Sequence, residues 1–217
     1  MIFAKIDFIN LLPFYIFIKK NIKSTQIKQI IEYKKSYPSK INKKFKNRDI
    51  DAAFISSIKS KNCNCLNIGI VAQKEVLSVL SIKGEYKKDS QSDSSNMLAK
   101  VLKVEGEVII GDKALHYFHN SKNQDFQDLA KLWYEKYNLP FVFARLCFNT
   151  HKKYLSKLSK KFLKQKIKIP YYILQKYSKQ TDISPKQIKN YLTKISYNIS
   201  YKEKKSLKLF FRLADNF

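Results

Sequence analysis

Apolar residues follow two rhythms along this chain. Through the first two thirds, short apolar runs alternate with amphipathic stretches; in the last third, apolar positions recur every three or four residues on a lysine background. The short runs predict strands at Phe3 to Phe8, around Ile30 to Tyr33, Ala52 to Ile55, Leu66 to Ala72, Val76 to Ile82, Val108 to Gly111 and Phe141 to Cys147, with helices between them. Strand and helix in alternation imply an α/β fold. The polar, serine-rich stretch from Lys87 to Ser95 reads as a surface loop that crosses to a second lobe and ends in a helix start at Ser94 or Ser95.

After Asn149 the pattern predicts helices alone. Tyr154, Leu155, Leu158, Phe162 and Leu163 repeat at helical spacing between Lys152 and Lys166. Ser184-Pro185 is a helix-start signal, with Ser as cap and Pro at the first helical position, ahead of Ile188, Tyr191, Leu192 and Ile195. A last helix runs from Tyr201 to about Asp215 and carries Leu207, Phe210, Phe211 and Leu213. No internal repeat is present.

At 217 residues and 44% hydrophobic content, the chain is long enough for a real core in one domain or two modest lobes. The apolar run Met1 to Ile18 is interrupted by Lys5, Asp7, Asn10 and Pro13, and no small-residue cleavage site follows it. It therefore reads as a buried strand leading into a loop, and the expected location is cytoplasmic, without a membrane partner. The formal net charge is +26, which raises nucleic acid as a partner. Arg occurs only at positions 48, 145 and 212, whereas phosphate and base readout favours the forked Arg donor. The lysines are also spread along the whole chain, so a solvated lysine surface is expected and no nucleic-acid partner. Cys63, Cys65 and Cys147 form no usable metal spacing, and His116 and His119 lack carboxylate or cysteine companions; reduced thiols and no metal are the expectation.

Three segments carry a resemblance. Gly111-Asp112-Lys113-Ala114-Leu115, then Asp128-Leu129-Ala130-Lys131-Leu132-Trp133, then Leu139-Pro140-Phe141-Val142-Phe143-Ala144 are similar, in order and in element type, to chorismate dehydratase, the first dedicated enzyme of the futalosine route to menaquinone. That resemblance implies a two-lobed type II periplasmic-binding-protein-like fold, with lobe one at about 1–82 plus 142–217 and lobe two at 83–141. A ligand cleft lies between the lobes, and C-terminal helices pack on lobe one. The stretch from Leu102 to Val108 is shorter than in the family, so a reduced second lobe is expected.

The chemistry-bearing residues are Asn and Ser. Asn10, in Asn10-Leu11-Leu12-Pro13-Phe14 after the first strand, either holds its own turn or points an amide into the cleft; the family's Asn-x-x-Pro-Phe element implies the second. Ser56 and Ser57 follow an apolar strand at an expected helix start, and Ser94 and Ser95 repeat that arrangement in the other lobe. Helix starts expose N–H groups that favour a carboxylate, so two of them facing across a cleft suit a dicarboxylate, for which the resemblance implies chorismate. Ser60 stands where the family has Tyr. Ser78 matches the family's Val-x-Ser-Val crossing strand, whose Ser lines the cleft, against the alternative of a Ser bonded to its own backbone. Asp112 is read as a helix cap, with substrate contact as the alternative, and Tyr191, Tyr197, Leu207, Phe210 and Ala214 as core.

With Asn10 and Ser78 as catalytic residues and Ser56, Ser57, Ser94 and Ser95 as substrate-binding, the implied dehydration needs no cofactor. The alternatives are a 1,4-dihydroxy-6-naphthoate synthase-like enzyme, which opens with a different N-terminal motif and has a catalytic His, and a non-catalytic solute-binding module, which would carry a signal peptide or lipid-anchor Cys if exported. Oligomeric state is left open by the sequence.

Overall fold

The computed structural model describes residues 1–121 and 125–217. The chain begins with extended residues that touch neighbouring strands only through parallel bridges, Phe3 with Ala52 and Lys5 with Lys35. The expected strand from Phe3 to Phe8 is thus reduced to two contact points, because a 3-10 turn at Ile9–Leu11 and helix α1 (Leu12–Asn21) follow at once. Pro13 at the start of α1 fits the first turn, where no donor is missed. Leu12, Phe14, Tyr15, Ile16, Phe17 and Ile18 are all buried, so the apolar N-terminal run is core: Phe14 lies edge-on to Phe54 and Phe162 with centroids 5.0 and 5.1 Å away. Among the described residues, no helix is long and apolar enough to cross a membrane.

The strand expected around Ile30 to Tyr33 is instead the end of helix α2 (Thr25–Tyr33), whose cap Ser24 accepts from the Ile27 N–H. Ile27, Ile30 and Ile31 are spaced for a helix as well as for a short strand, and the cap decides. Helix α3 (Pro38–Lys46) then leads to strand β1 (Ala52–Ser56), and after a one-turn 3-10 segment, Ser57–Ser60, to β2 (Cys65–Ala72). The chain crosses to a second sheet at β3 (Val79–Ile82), continues through α4 (Asp93–Leu102), β4 (Glu107–Ile110), α5 (Gly111–Asn120), β5 (Phe126–Asp128) and α6 (Leu129–Tyr137), and returns in β6 (Phe141–Phe148). Helices α7 (Lys152–Leu163), α8 (Tyr171–Thr181) and α9 (Pro185–Thr193), strand β7 (Ile195–Asn198) and helix α10 (Tyr201–Ala214) complete the chain.

Two sheets result, in the orders β1-β6-β2-β7 and β4-β3-β5. Strand β3 therefore belongs with β4 and β5, so the sheets divide before Val79 and not after residue 82. The C-terminal part is not helical throughout, since β7 pairs antiparallel with β2 through Ile68–Asn198 and Ala72–Ile195. Helix α10 lies on β6 and also on α4. The wholly buried Trp133 of α6 donates its indole N–H to Ser206 of α10 at 3.0 Å. The last helix thus reaches the elements of both sheets.

The expectation of reduced thiols is corrected. Cys65 and Cys147 are direct partners in the β2–β6 register and form a disulfide, 82 residues apart in sequence. Cys63 is the free cysteine. Strand pairing across such a separation is invisible in the cysteine spacing, so reduced thiols no longer support a cytoplasmic location.

Candidate active site between the two sheets

A cavity of about 50 Å³ lies where the two sheets face each other, with Asn10, Ser56, Ser78, Ser92 and Ser95 as its polar wall and Phe8, Ile70, Val76 and Phe143 among its apolar one. Among the described residues, no Asp, Glu, Lys, Arg or His lines it. Ligand pockets are generally about 300–1,000 Å³, so the cavity in this arrangement is smaller than an ordinary ligand site.

Each serine has a different tether. Ser56 ends β1; its N–H donates to the side-chain carbonyl of Asn42 at 3.1 Å, and its hydroxyl accepts from the Asn42 amide at 2.8 Å. The same amide donates to Asp93 at the start of α4, also at 2.8 Å. Asn42, on α3, is thereby a clasp between the jaws that the sequence did not reveal: an Asn inside a lysine-rich helix carries no signal of burial. Ser57 is not in the cavity, because its hydroxyl donates to the Val142 carbonyl. The helix expected to start at Ser56-Ser57 is a single 3-10 turn, too short to present aligned N–H groups to a carboxylate.

On the other jaw, α4 begins at Asp93, one or two residues earlier than expected. Ser92 is its cap, accepting from the Ser95 N–H at 3.2 Å, and its own hydroxyl donates to Ser95 Oγ at 2.8 Å. Ser92 and Ser95 therefore face the cavity. Ser94 turns away and accepts from the Ile58 N–H at 3.2 Å, a bond that draws the Ser57–Ser60 turn onto α4. The Ser60 hydroxyl donates to the Ser57 carbonyl, outside the cavity.

Ser78 precedes β3 and does not lie within it. The segment before it is held by Asp128, whose Oδ2 accepts from the N–H groups of Val76 and Leu77 at 2.8 and 2.7 Å while Oδ1 caps α6 at Ala130 and Lys131. Leu77 is left-handed, φ 60°, a conformation that costs a branched residue energy and persists only where its surroundings impose it. Here the Asp128 carboxylate imposes it, and the kink turns Ser78 toward the cavity. The Ser78 carbonyl accepts from Gly111 N–H at 2.8 Å. Gly111 also has φ 62°, and a Cβ there would lie 3.0 Å from the Phe8 ring; glycine is required.

Asp112 neither caps α5 nor lines the cavity, because Gly111 already opens the helix and places Asp112 inside its first turn. Its carboxylate reaches across to accept the Ile9 N–H at 3.1 Å, bracing the loop that carries Asn10. Burial, with Asp7 adding to it, pushes Asp112 from 3.8 up to about 6. The folded chain therefore holds this proton more tightly than the unfolded one, so stability contributed by the neutral form is present at pH 4 and is lost as pH rises through about 6. An Asn keeps the acceptor for Ile9 without the charge. Asp112→Asn is expected to equal the parent at pH 4 and to exceed it by roughly 2 kcal/mol at pH 7.5 in urea unfolding; a constant difference between the two pH values would contradict this account.

The backbone at Asn10 is held by the Tyr197 hydroxyl, which donates to the Asn10 carbonyl at 2.6 Å, and next to it by the Asp112 bond to Ile9. The Asn10 side-chain oxygen is buried and has no partner. Tyr191, completely enclosed, shares a hydrogen bond of 2.8 Å with Ser78. Tyr191 and Tyr197 were read from the sequence as core, which is true of their rings and not of their hydroxyls; a buried phenol needs a polar partner, and that requirement was the available signal. Among the described residues, no group of three His, Cys, Asp or Glu could hold a metal ion.

A mixed α/β fold with two sheets enclosing an uncharged polar cavity is the class expected from the sequence, periplasmic-binding-protein-like. Solved structures of that shape include a structural-genomics protein from Archaeoglobus fulgidus (TM-score 0.65, 12% identity, 99% of this chain and 96% of that one) and an ABC transporter from Parabacteroides distasonis (TM-score 0.60, 14% identity, 99% and 91%). Those likenesses concern the fold alone. Residues 90–216 match the family model described as menaquinone biosynthesis, and a chorismate dehydratase from Campylobacter jejuni (subsp. jejuni serotype O:23/36, strain 81-176) is 50% identical over 214 residues, 97% of this chain and 96% of its own. The chain belongs to the chorismate dehydratase family of menaquinone biosynthesis.

Proposed function

We propose that this enzyme is a hydro-lyase that converts chorismate to 3-[(1-carboxyvinyl)oxy]benzoate and water. The observation that carries the reading is the convergence of Asn10 and Ser78 with Ser56 and Ser95 on one cavity, in a chain half identical to a curated chorismate dehydratase. The two separate sheets support a two-lobed reading, with the boundaries moved from about residue 82 to about residue 78 so that β3 stays with its sheet, and with substrate bound between the lobes.

Chorismate has a ring carboxylate, an enolpyruvyl carboxylate, a hydroxyl at ring carbon 4 and a hydrogen at carbon 3. The carbon 3 hydrogen leaves as a proton, its bonding pair becomes the new ring double bond, the carbon 4 to oxygen bond breaks, and hydroxide with the proton makes water. Aromatisation drives the step. The base in this reading is the substrate's own enolpyruvyl carboxylate, already adjacent to carbon 3, which agrees with a cavity wall of Asn and Ser side chains among the described residues. Ser56 on one jaw and Ser92, Ser95 and the first N–H groups of α4 on the other hold the carboxylates. Asn10 and Ser78 hydrogen-bond the departing hydroxyl, so the protein contributes position and oriented dipoles.

Purified protein incubated with chorismate is expected to yield a product lighter by one water, with the ultraviolet absorbance of an alkoxybenzoate. Unchanged chorismate with correctly folded protein rejects the reading.

A further inference from the structure

A residue placed at the departing hydroxyl has a partner outside the cavity wall. Tyr191 of α9 is 2% exposed, and its hydroxyl lies 2.8 Å from Ser78 Oγ. Each hydroxyl carries one proton. With the phenol proton given to Ser78 Oγ, the Ser78 proton is left for the cavity, whose wall also holds Asn10 with its buried, unpartnered Oδ1. Burial raises the phenol's pKa well above its ordinary value, so Tyr191 remains a donor throughout the working pH range.

We propose that Tyr191 is a positioning residue for the dehydration: it sets the direction of the Ser78 hydroxyl so that Ser78 donates to the hydroxyl that leaves. The inference rests on the reading of chorismate as substrate. Tyr191 touches no substrate, so its loss acts on the transition state through Ser78 and leaves ground-state carboxylate binding to the serines of the jaws.

The test is a double-mutant cycle with Tyr191→Phe and Ser78→Ala in the full chain, reading kcat and KM for chorismate separately. Tyr191→Phe is expected to lower kcat about 30-fold with KM changed less than about threefold. In the Ser78→Ala background the same replacement is expected to cost less than about threefold, because the group it positions is already gone. A scaffold role for the ring would instead leave kcat intact in Tyr191→Phe, or multiply the two losses; either result overturns the proposal. Should Tyr191→Phe alone fail to fold, the double variant, which removes both polar partners together and leaves neither unsatisfied, is compared with Ser78→Ala. Equal kcat in that pair supports positioning and a further large loss overturns it. A wild-type enzyme that leaves chorismate unchanged overturns the functional reading and this inference with it, whereas an active wild type with an equally active Tyr191→Phe overturns the inference alone.

Discussion

Replacing Asn10 with Ala is expected to lower turnover of chorismate by about 10²-fold, the loss that follows misorientation of the departing hydroxyl, with KM changed less than about threefold. The prediction is strong because the backbone around Asn10 is secured without its side chain. The Ile9 N–H is held by Asp112 and the Asn10 carbonyl by Tyr197, so Ala leaves the loop in place and deletes only the amide. That amide has a buried oxygen with no partner in the cavity. Leaving such an acceptor unsatisfied costs about 1–3 kcal/mol, an arrangement that makes sense if the substrate's hydroxyl satisfies it. Steady-state kinetics decide the matter: equal losses in kcat and in substrate binding would make Asn10 a ground-state contact and remove it from the dehydration step.

Asp128→Ala is expected to produce the largest stability loss, about 3–5 kcal/mol in denaturant unfolding. One carboxylate accepts four backbone N–H groups, two in the first turn of α6 and two in the kinked crossing at Val76 and Leu77. Removing it uncaps the helix and withdraws the only group seen to impose the left-handed Leu77. Ser78 follows Leu77 directly, so kcat is expected to fall by about tenfold to hundredfold even where the variant remains folded. Asp128→Asn separates the two effects: its single carbonyl oxygen can serve one pair of N–H groups, so its stability should lie between parent and Ala. An Asp128→Ala protein with undiminished stability would mean that the crossing is imposed by sheet packing.

What could be read in the sequence was local. Apolar runs at Ala52 to Ile55 and Phe141 to Cys147, the Ser184-Pro185 start signal and the helical spacing after Tyr201 depend on neighbours within a few residues, and each appears as a strand, a cap or a helix in its place. The family motifs point to Asn10, Ser56, Ser57, Ser78, Ser94 and Ser95 as one site for the same reason, and all but Ser57 and Ser94 line the cavity. Ambiguity arose where local pattern admits two structures: Ile27 to Ile31 suits helix and strand alike, and Ser24 as a cap settled it. The short strands β5 and β7 could not be anticipated, since a strand of three or four residues is made by its partner more than by its own propensity.

Tertiary structure alone decided which hydroxyls face the cavity. Ser56 and Ser57 are adjacent, as are Ser94 and Ser95, yet one of each pair turns inward and the other bonds away to Val142 or Ile58, because neighbouring side chains point to different sides of any regular backbone. It also decided that Cys65 meets Cys147, that Asp112 braces the Asn10 loop, and that Tyr191, 113 positions from Ser78 in sequence, closes the hydrogen-bond chain behind it. Sequence carries periodicity and caps because those are short-range interactions; the direction of a buried polar group is set by whichever distant partner can satisfy it, and only the folded chain brings that partner near.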